Sequence, residues 1–263
     1  CFMKMLSKCL LPILSGLMIA SPLFACTDIS IKAKDGSVIV ARTMEFAPLL
    51  DSAIVTSPRG TVFKNTAPNG KQSYRWTGKY GFVYMNFFHI NYPVDGMNEK
   101  GLSFGGLYLP GETKYQTLTK KNLKRAIPYF QVGAWILSNF KTVDEVKAAL
   151  PKMTIFEQGL PIPGHAGAVF PLHITVTDAS GKSIVVEWIN GKEYIYDNNI
   201  LGVLTNDPIF PWQVTNLKNY ANLSPYTPVP IKEKTFTYSA TGQGAGMVGL
   251  PGDISPPSRF VKM

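Results

Sequence analysis

Cys26 is the residue whose type and position most directly indicate chemistry. It follows Ala25 at the end of a leader-like stretch, where a signal peptidase would cut and make the cysteine the new N-terminus. A free α-amine has a pKa of about 7.7 to 8.0, so at neutral pH a fraction of it can accept the proton of the adjacent thiol. An N-terminal cysteine therefore carries a nucleophile and a base in one residue.

The thiol needs further help, because its ordinary pKa of about 8.5 leaves little thiolate at neutral pH. Arg42 is the candidate positive charge, since a predicted hairpin places it near Cys26. The alternative is that Arg42 makes a surface ion pair, which contributes little to stability or chemistry.

Residues 1–25 have the pattern of a signal peptide. Lys4 and Lys8 give a basic start, and the apolar run over 9–19 is too short and too interrupted to span a membrane. We therefore expect residues 1–25 to be removed and the protein to be exported to the periplasm or the medium. The mature chain is expected to have no stable membrane insertion.

The chain has three cysteines, and two of them, Cys1 and Cys9, lie in the leader. The one remaining thiol of an exported chain is a reactive group, an intermolecular partner or a lipid attachment site. Lipid attachment is a specific alternative, because LFAC at 23–26 resembles a bacterial lipobox. In that case Cys26 would be an anchor, and its amine would be lost as a base.

Composition argues against several other classes. The 263 residues are 45% hydrophobic, which suits one globular domain with a sizeable core. Without the leader, 24 basic and 17 acidic residues remain, but the basic ones are scattered and predict no nucleic-acid partner. His89, His165 and His173 have no cysteine or carboxylate at ligand spacing, so the sequence predicts no metal and no cofactor.

Strand patterns dominate the chain and begin at its cleavage point. Alternating apolar and polar residues predict a hairpin with a two-residue turn at Asp35-Gly36. Because such a hairpin brings the far ends of its strands together, we expect Cys26, Arg42 and Glu45 at one end of a sheet.

Two helices are predicted in the middle of the chain, over 127–140 and 143–150, the second opened by a capping box of Thr142 and Glu145. Strand patterns return afterwards, at 173–178, 183–188 and 192–197. Strands, then helices, then strands predict a layered α+β fold rather than alternating βαβ units.

Several stretches, in order along the chain, carry a more specific pattern. They are Cys26-Thr27, ARTMEF at 41–46, DGMNEKGLSFGGLYLPG at 95–111, GVLTNDP at 202–208, and GQGAGMVGLPGD followed by SRF within 242–260. Together they resemble the choloylglycine hydrolase family of N-terminal-nucleophile (Ntn) hydrolases, which includes bile salt hydrolases and penicillin V acylases.

The resemblance implies a single Ntn-hydrolase domain over 26–263 with a four-layer αββα sandwich. It also implies further helix and strand segments after Met263, so we expect this sequence to be truncated at its C-terminus. A homotetramer is implied as well, with residues 220–240 as the candidate assembly loop.

The resemblance also assigns catalytic roles. Cys26 would attack an amide carbonyl with its thiol, its α-amine would relay the proton, and Arg42 would lie beside the thiol. Glu45 falls where the family usually has an aspartate that contacts the α-amine, so the charge is kept on a longer side chain.

The resemblance further implies an oxyanion hole made by the side-chain amide of Asn206 and the backbone amide of Tyr108, with Arg259 organising the pocket. From the residues alone, Asn206 is a turn residue before Pro208.

Tyr108 also bears on the substrate, because the resemblance implies asparagine there in bile salt hydrolases and tyrosine in penicillin V acylases. Together with Met44 and Phe46, it would form a wall for a phenoxyacetyl group or an apolar acyl chain, although the same side chains could be core. The sequence predicts an exported cysteine amidase acting on a small-molecule linear amide, most like penicillin V acylase. The alternatives are a bile salt hydrolase, an N-acyl homoserine lactone acylase, a non-catalytic lipoprotein and an inactive remnant.

Overall fold

A computed structural model describes residues 25–46, 49–160, 162 and 167–263 of the chain. The predicted signal peptide up to residue 24, with Cys1 and Cys9, lies outside the described residues, as does His165. None of the helices in the described ranges is long and apolar enough to cross a membrane.

The described residues form strands, α-helices and a few short 3-10 turns. The strands are β1 (Ala25–Lys32), β2 (Val38–Glu45), β3 (Ile54–Ser57), β4 (Val62–Thr66), β5 (Gln72–Thr77), β6 (Phe82–Phe87), β7 (Ile90–Asn98), β8 (Ser103–Tyr108), β9 (Ala126–Pro128), β10 (Thr154–Phe156), β11 (Leu172–Thr177), β12 (Ser183–Ile189), β13 (Lys192–Asp197), β14 (Val203–Leu204), β15 (Ile231–Glu233) and β16 (Phe236–Tyr238). The helices are α1 (Val132–Asn139), α2 (Val143–Ala149), α3 (Phe210–Leu217) and α4 (Pro256–Lys262).

Two antiparallel sheets form the centre of the molecule. The large sheet has seven strands in the order β13-β12-β11-β8-β7-β6-β3, and the small sheet has three in the order β14-β1-β2. The predicted meander over β11, β12 and β13 is confirmed. Its second turn has Asn190 and Gly191 at positive φ between the paired residues Ile189 and Lys192, which is the two-residue turn that matches the sheet twist.

The hairpin of β1 and β2 differs from the prediction by one residue in its turn. Ala33 N–H donates to Ser37 O at 2.8 Å, so the loop has three residues and ends at Gly36, whose φ is +89°. A two-residue turn would have placed Cys26 opposite Glu45, whereas the observed register pairs Cys26 with Met44. Because side chains alternate between the two faces, this one-residue difference decides which face Glu45 takes.

The first predicted helix begins later than expected. Residues 126–128 form β9, which pairs in parallel with β10, and α1 begins only at Val132. Pro128 explains the difference, because a proline disfavours helical backbone in the residue before it, here Ile127. The second helix agrees with the prediction.

The N-terminus of α2 has only part of the predicted capping box. Thr142 Oγ1 accepts from Glu145 N–H at 3.2 Å, as expected. The Glu145 carboxylate accepts from Lys141 N–H rather than from Thr142 N–H.

The layers stack in the predicted αββα order. Helix α1 packs against β7 and β8 on one face of the large sheet, and β1 of the small sheet lies against its other face. Helix α4 contacts β1 from the far side, together with α3. The large core lies between α1 and the large sheet, where side chains such as Ile136, Leu137 and Val176 are fully buried.

Region 220–240, the predicted assembly loop, contains a small hairpin of β15 and β16. Every residue of both strands is exposed, including Ile231, Phe236 and Tyr238. This hairpin is separate from the two central sheets and contributes no strand to them.

Candidate active site

Cys26 lies near the start of β1, in the wall of a pocket that is also lined by residues of β2, β8 and β11 and of the segment before α1. The residue is 4% exposed and belongs to a buried apolar cluster that includes Leu107 and Phe260. It is the free cysteine of the described ranges. Since Ala25 continues β1, the Cys26 nitrogen is a peptide nitrogen in this chain, and cleavage after Ala25 would turn it into an α-amine.

The pocket is partly open, and the empty space within it comes to about 770 Å³ when the adjoining open solvent is included. Apart from Arg42, its lining is almost entirely apolar and aromatic, and includes Phe46, Phe104, Tyr115, Phe130, Phe170 and Trp188. Met44, Phe46 and Tyr108, the predicted substrate-binding residues, all line it. Phe46 also packs edge-on against Phe170, with the ring centroids 5.9 Å apart, so it is both a lining residue and a packing residue.

Arg42 points inward from β2 and is not the surface arginine of the alternative interpretation. Its side chain is 5% exposed and lies 3.5 Å from Asp95 Oδ2. The guanidinium donates to the backbone carbonyls of Val94 and Gly106, which belong to the large sheet. These bonds hold a positive charge in the pocket that also contains Cys26.

Asp28 is a buried carboxyl beneath Arg42 that the sequence interpretation did not assign to the site. It lies opposite Arg42 in the ladder and is 3% exposed. Burial raises the pKa of Asp28 to about 6, and the repulsion from Asp95 adds to this. The charge of Arg42 and a hydrogen bond from Thr175 act in the opposite direction.

Asn206 connects Cys26 to α4 through its side-chain amide. Asn206 Oδ1 accepts from Cys26 N–H at 2.7 Å and from Arg259 Nη2 at 2.8 Å. Since the oxygen has two donors, the orientation of the amide is fixed, and Nδ2 donates to Tyr108 O at 2.8 Å. Nδ2 carries a second hydrogen, which can donate to another acceptor.

Arg259 reaches from α4 to three acceptors around the cysteine. Besides Asn206, it donates to Cys26 O and to Thr27 Oγ1. Burial lowers the pKa of Arg259 from its ordinary value, while the negative charge of Glu45 acts in the opposite direction. A guanidinium suits this place because its planar fork can donate to several acceptors at once.

Tyr108 ends β8 beside the cysteine. Leu109 N–H donates to Pro171 O at 2.8 Å, across the ladder to β11. Because hydrogen-bonded and non-hydrogen-bonded positions alternate in an antiparallel ladder, the N–H of Tyr108 points away from β11. Burial raises the pKa of the Tyr108 phenol.

Glu45 is exposed and lies opposite Ala25 rather than opposite Cys26. The alternation therefore places its side chain on the face of Thr27 and Arg259, not on the pocket face. The expected cluster at one end of the sheet forms, but Glu45 reaches it from the other side. The site can thus place a thiol, a guanidinium and an amide donor around one wall of an apolar pocket.

The histidines lie in different parts of the molecule. His89 is exposed, with Nε2 3.7 Å from Asp51 Oδ2. His173 is fully buried between Glu187 and Thr205. Among the described residues, no group of three or more His, Cys, Asp or Glu side chains could hold a metal ion.

Sequence reasoning missed the groups that anchor Arg42. Asp28 could have been found, since it is two residues from Cys26 in a strand and must share its face. The carbonyls of Val94 and Gly106 could not have been found, because backbone acceptors leave no signal in residue type.

Comparison with known proteins places these residues in a wider group. Residues 26–263 match a protein-family model, which is described as 'Linear amide C-N hydrolases, choloylglycine hydrolase family'. The bile salt hydrolase/transferase of Clostridium perfringens (strain 13 / Type A) is 39% identical over 243 residues, which are 90% of this chain and 70% of the relative.

Solved structures agree with this result. A structure of the conjugated bile acid hydrolase from Clostridium perfringens has a TM-score of 0.75 and 36% identity, covering 90% of this chain and 70% of that one. The penicillin V acylase from Agrobacterium tumefaciens has a TM-score of 0.69 and 27% identity, covering 90% and 63%. The predicted fold class is thereby confirmed.

Asp28 predicts a measurable pH dependence of stability. Its pKa is about 6 in the folded chain and 3.8 for an unperturbed aspartate, so between these values unfolding releases a proton and stability falls as the pH rises. In the wild type, the free energy of unfolding should fall by an amount on the order of 3 kcal/mol across this range, and Asp28→Asn should abolish this fall. Urea denaturation at several pH values checks this.

Asp35→Asn is the matched control for this measurement, because Asp35 is exposed and the hydrogen bonds that it accepts from Ser37 lower its pKa. It should leave the slope between about pH 4 and 6 unchanged. Equal slopes in wild type and Asp28→Asn would show that the carboxyl does not take up its proton in the folded state.

Proposed function

The chain belongs to the choloylglycine hydrolase family of linear amide C–N hydrolases, and on this basis we propose that it is a cysteine amidase whose nucleophile is the Cys26 thiol. The observation that carries the proposal is the position of Cys26. Its side chain lies in the wall of an apolar pocket, and its nitrogen is held 2.7 Å from Asn206 Oδ1. The nitrogen and the thiol would thus be oriented together.

We propose that maturation removes the residues up to Ala25 during export, which frees the α-amine of Cys26. The amine takes the proton of the thiol as the sulfur attacks the substrate carbonyl, and a C–S bond forms while the carbonyl electrons move to the oxygen. The amine then gives the proton to the leaving nitrogen as the C–N bond breaks. Water hydrolyses the resulting thioester, which releases the carboxylic acid and restores the thiol.

The oxyanion of the tetrahedral intermediate is assigned to Asn206 Nδ2 and the N–H of Tyr108. Asn206 supports this role because its amide is fully buried and its orientation is fixed by two donors to its oxygen. Removing such a donor typically lowers kcat by about 10²- to 10³-fold.

Arg42 and Arg259 have separate roles in this proposal. Arg42 shares the pocket with Cys26 and would stabilise the thiolate. Arg259 would hold Asn206 and the Cys26 carbonyl in place from α4. Glu45 would act at longer range, as a negative charge near Arg259 and the freed α-amine.

The proposed substrate is a small amide with an apolar or aromatic acyl group. The aromatic lining of the pocket supports this choice, because aromatic side chains bind flat apolar groups by stacking and by excluding water. Tyr108, with Met44 and Phe46, favours a phenoxyacetyl amide such as penicillin V.

A conjugated bile salt is the second candidate substrate. Its support is the identity of 39% to a protein described as bile salt hydrolase/transferase. N-acyl homoserine lactones share an amide next to an apolar chain and are tested in the same assay.

The burial of Cys26 supports the amidase over the lipoprotein alternative. A lipid-bearing cysteine must extend its acyl chains from the protein surface into a bilayer, whereas Cys26 is 4% exposed and lines the pocket. The geometry therefore favours a reactive thiol.

Processing of the leader gives the first prediction of this proposal. When the chain is expressed with its own leader, we expect the intact mass of the exported protein to begin at unmodified Cys26, because maturation must free the amine. Mass spectrometry of the periplasmic and culture fractions measures this. A diacylglyceryl adduct in the membrane fraction would contradict it.

The nucleophile gives the second prediction. Cys26→Ser should lower kcat by about 10³-fold or more, because the hydroxyl is a far weaker nucleophile than the thiolate. A chain with one alanine before Cys26 should lose as much, since a peptide nitrogen cannot accept a proton. Release of the free amine from penicillin V measures both, and circular dichroism verifies the folding. Full turnover in either variant would show that the mechanism is wrong.

The acyl pocket gives the third prediction. We expect kcat/KM for penicillin V to exceed that for glycine-conjugated bile salts, and Tyr108→Asn to lower it by about 5- to 50-fold through loss of the aromatic wall. Tyr194→Asn, on an exposed tyrosine outside the pocket, is the matched control. Higher kcat/KM with bile salts in the wild type would instead favour the second candidate.

A further inference from the structure

His173 and Glu187 form a fully buried polar pair that the proposed chemistry does not use. His173 lies on β11 and Glu187 on β12, and both are 0% exposed. The ladder pairs Ile174 with Val186, so the two side chains are directly opposite each other on one face. The same face of the large sheet carries Thr175, whose side chain makes a hydrogen bond with Asp28 of the small sheet.

The contact with Thr205 determines which nitrogen of the imidazole is the donor there. Nε2 lies 2.8 Å from Thr205 O, and a carbonyl oxygen can only accept, so Nε2 carries a hydrogen. Nδ1 lies 3.1 Å from Glu187 Oε1, and the same oxygen accepts from Phe210 N–H at 2.8 Å. The histidine and the glutamate therefore act as one hydrogen-bonded unit.

This unit holds both ends of one short segment, residues 205–210. His173 binds the carbonyl of Thr205 at its start, and Glu187 binds the N–H of Phe210, where α3 begins. Asn206 is the residue directly after Thr205, and its side chain is the one that contacts Cys26, Tyr108 and Arg259.

Apart from the bonds of the Asn206 side chain itself, the other side-chain contacts of residues 205–208 are longer than the bond from His173. Gln213 Nε2 reaches Asn206 O at 3.5 Å and Pro208 O at 3.4 Å, which is the outer limit for a hydrogen bond. Thr205 Oγ1 donates to Pro256 O at 3.0 Å. The bond from His173 is the shortest of these contacts, and its strength is increased because it is fully buried.

We propose that His173, supported by Glu187, is a positioning residue that sets the place of the Asn206 amide and thereby the strength of the oxyanion hole. The inference rests on the proposed function for its effect on catalysis. His173 does not line the pocket and does not touch the substrate, so it acts through Thr205 and Asn206. A displacement of about 1 Å at such a donor lowers the rate by up to about 10²-fold.

Two substitutions of His173 separate positioning from packing. The amide of asparagine ends near the place of Nδ1, so His173→Asn loses the donor to Thr205 O. The amide of glutamine ends near the place of Nε2, so His173→Gln keeps it. We expect His173→Asn to lower kcat by about 10- to 100-fold with little change in KM, and His173→Gln to stay within about 5-fold of wild type.

Thr177→Val is the matched control. Thr177 lies on the same strand and face, is 2% exposed, and donates to Ser183 of β12 at 3.0 Å. Loss of the Thr177 hydroxyl should lower the free energy of unfolding about as much as the His173 substitutions do, and it should leave kcat unchanged. Equal losses of kcat in His173→Gln, His173→Asn and Thr177→Val would overturn the proposal, because they would indicate a general effect of core damage.

A double-mutant cycle with Asn206→Ala tests the route. If His173 acts through Asn206, adding His173→Asn to Asn206→Ala should cause no further loss of kcat, whereas additive losses would overturn the proposal.

Crystal structures of the two His173 variants provide a readout that needs no turnover. The 2.8 Å contact from Asn206 Nδ2 to Tyr108 O should persist in His173→Gln and be lost in His173→Asn. An undisturbed Asn206 in both would overturn the inference. A wild type that cleaves none of the amides would instead refute the proposed function, and the structures would still decide the positioning role.

Discussion

The register of β1 against β2 determines which side chains reach the pocket and which reach α4. Cys26 lies opposite Met44 and Asp28 lies opposite Arg42, so all of them face the large sheet. Thr27 lies on the other face, where Arg259 binds it. Because a strand alternates its side chains with a period of two, a shift by one residue would exchange these two sets. The turn that ends at Gly36 fixes this register.

The two interfaces of the large sheet differ in chemistry. Towards α1 the sheet presents apolar side chains such as Ile174, Val176 and Trp188, which form the main core. Towards the small sheet it presents the polar Thr175 and His173 beside the apolar Leu107 and Val185. Thr175 bonds Asp28, and His173 bonds Glu187 and the carbonyl of Thr205. Burying a polar group without a hydrogen bond costs about 1–3 kcal/mol, so these contacts favour the alignment of the sheets in which they form.

Three distant parts of the chain meet at Cys26. The cysteine comes from β1, Asn206 from the segment before α3, and Arg259 from α4, and each contacts the others directly. Each contact is a hydrogen bond between buried groups, so losing any one of them leaves a buried donor or acceptor unpaired. The geometry of the site is therefore coupled to the packing of α4 on the small sheet.

Local patterns in the sequence predicted the hairpin of β1 and β2, the meander of β11 to β13, helix α2 and the α+β layering, because periodicity and turn residues are local properties. Cys26 and Arg42 were also identified from residue type and position, whereas Tyr108, Asn206 and Arg259 were identified only through the family resemblance. Glu45 shows the limit of this information, since its face depends on a turn that is one residue longer than the sequence predicted. The burial of Arg42 and the hydrogen-bonded pair of His173 and Glu187 depend on tertiary structure alone. Their partners are backbone carbonyls and residues on other strands, and only the packed sheets bring these within hydrogen-bonding distance.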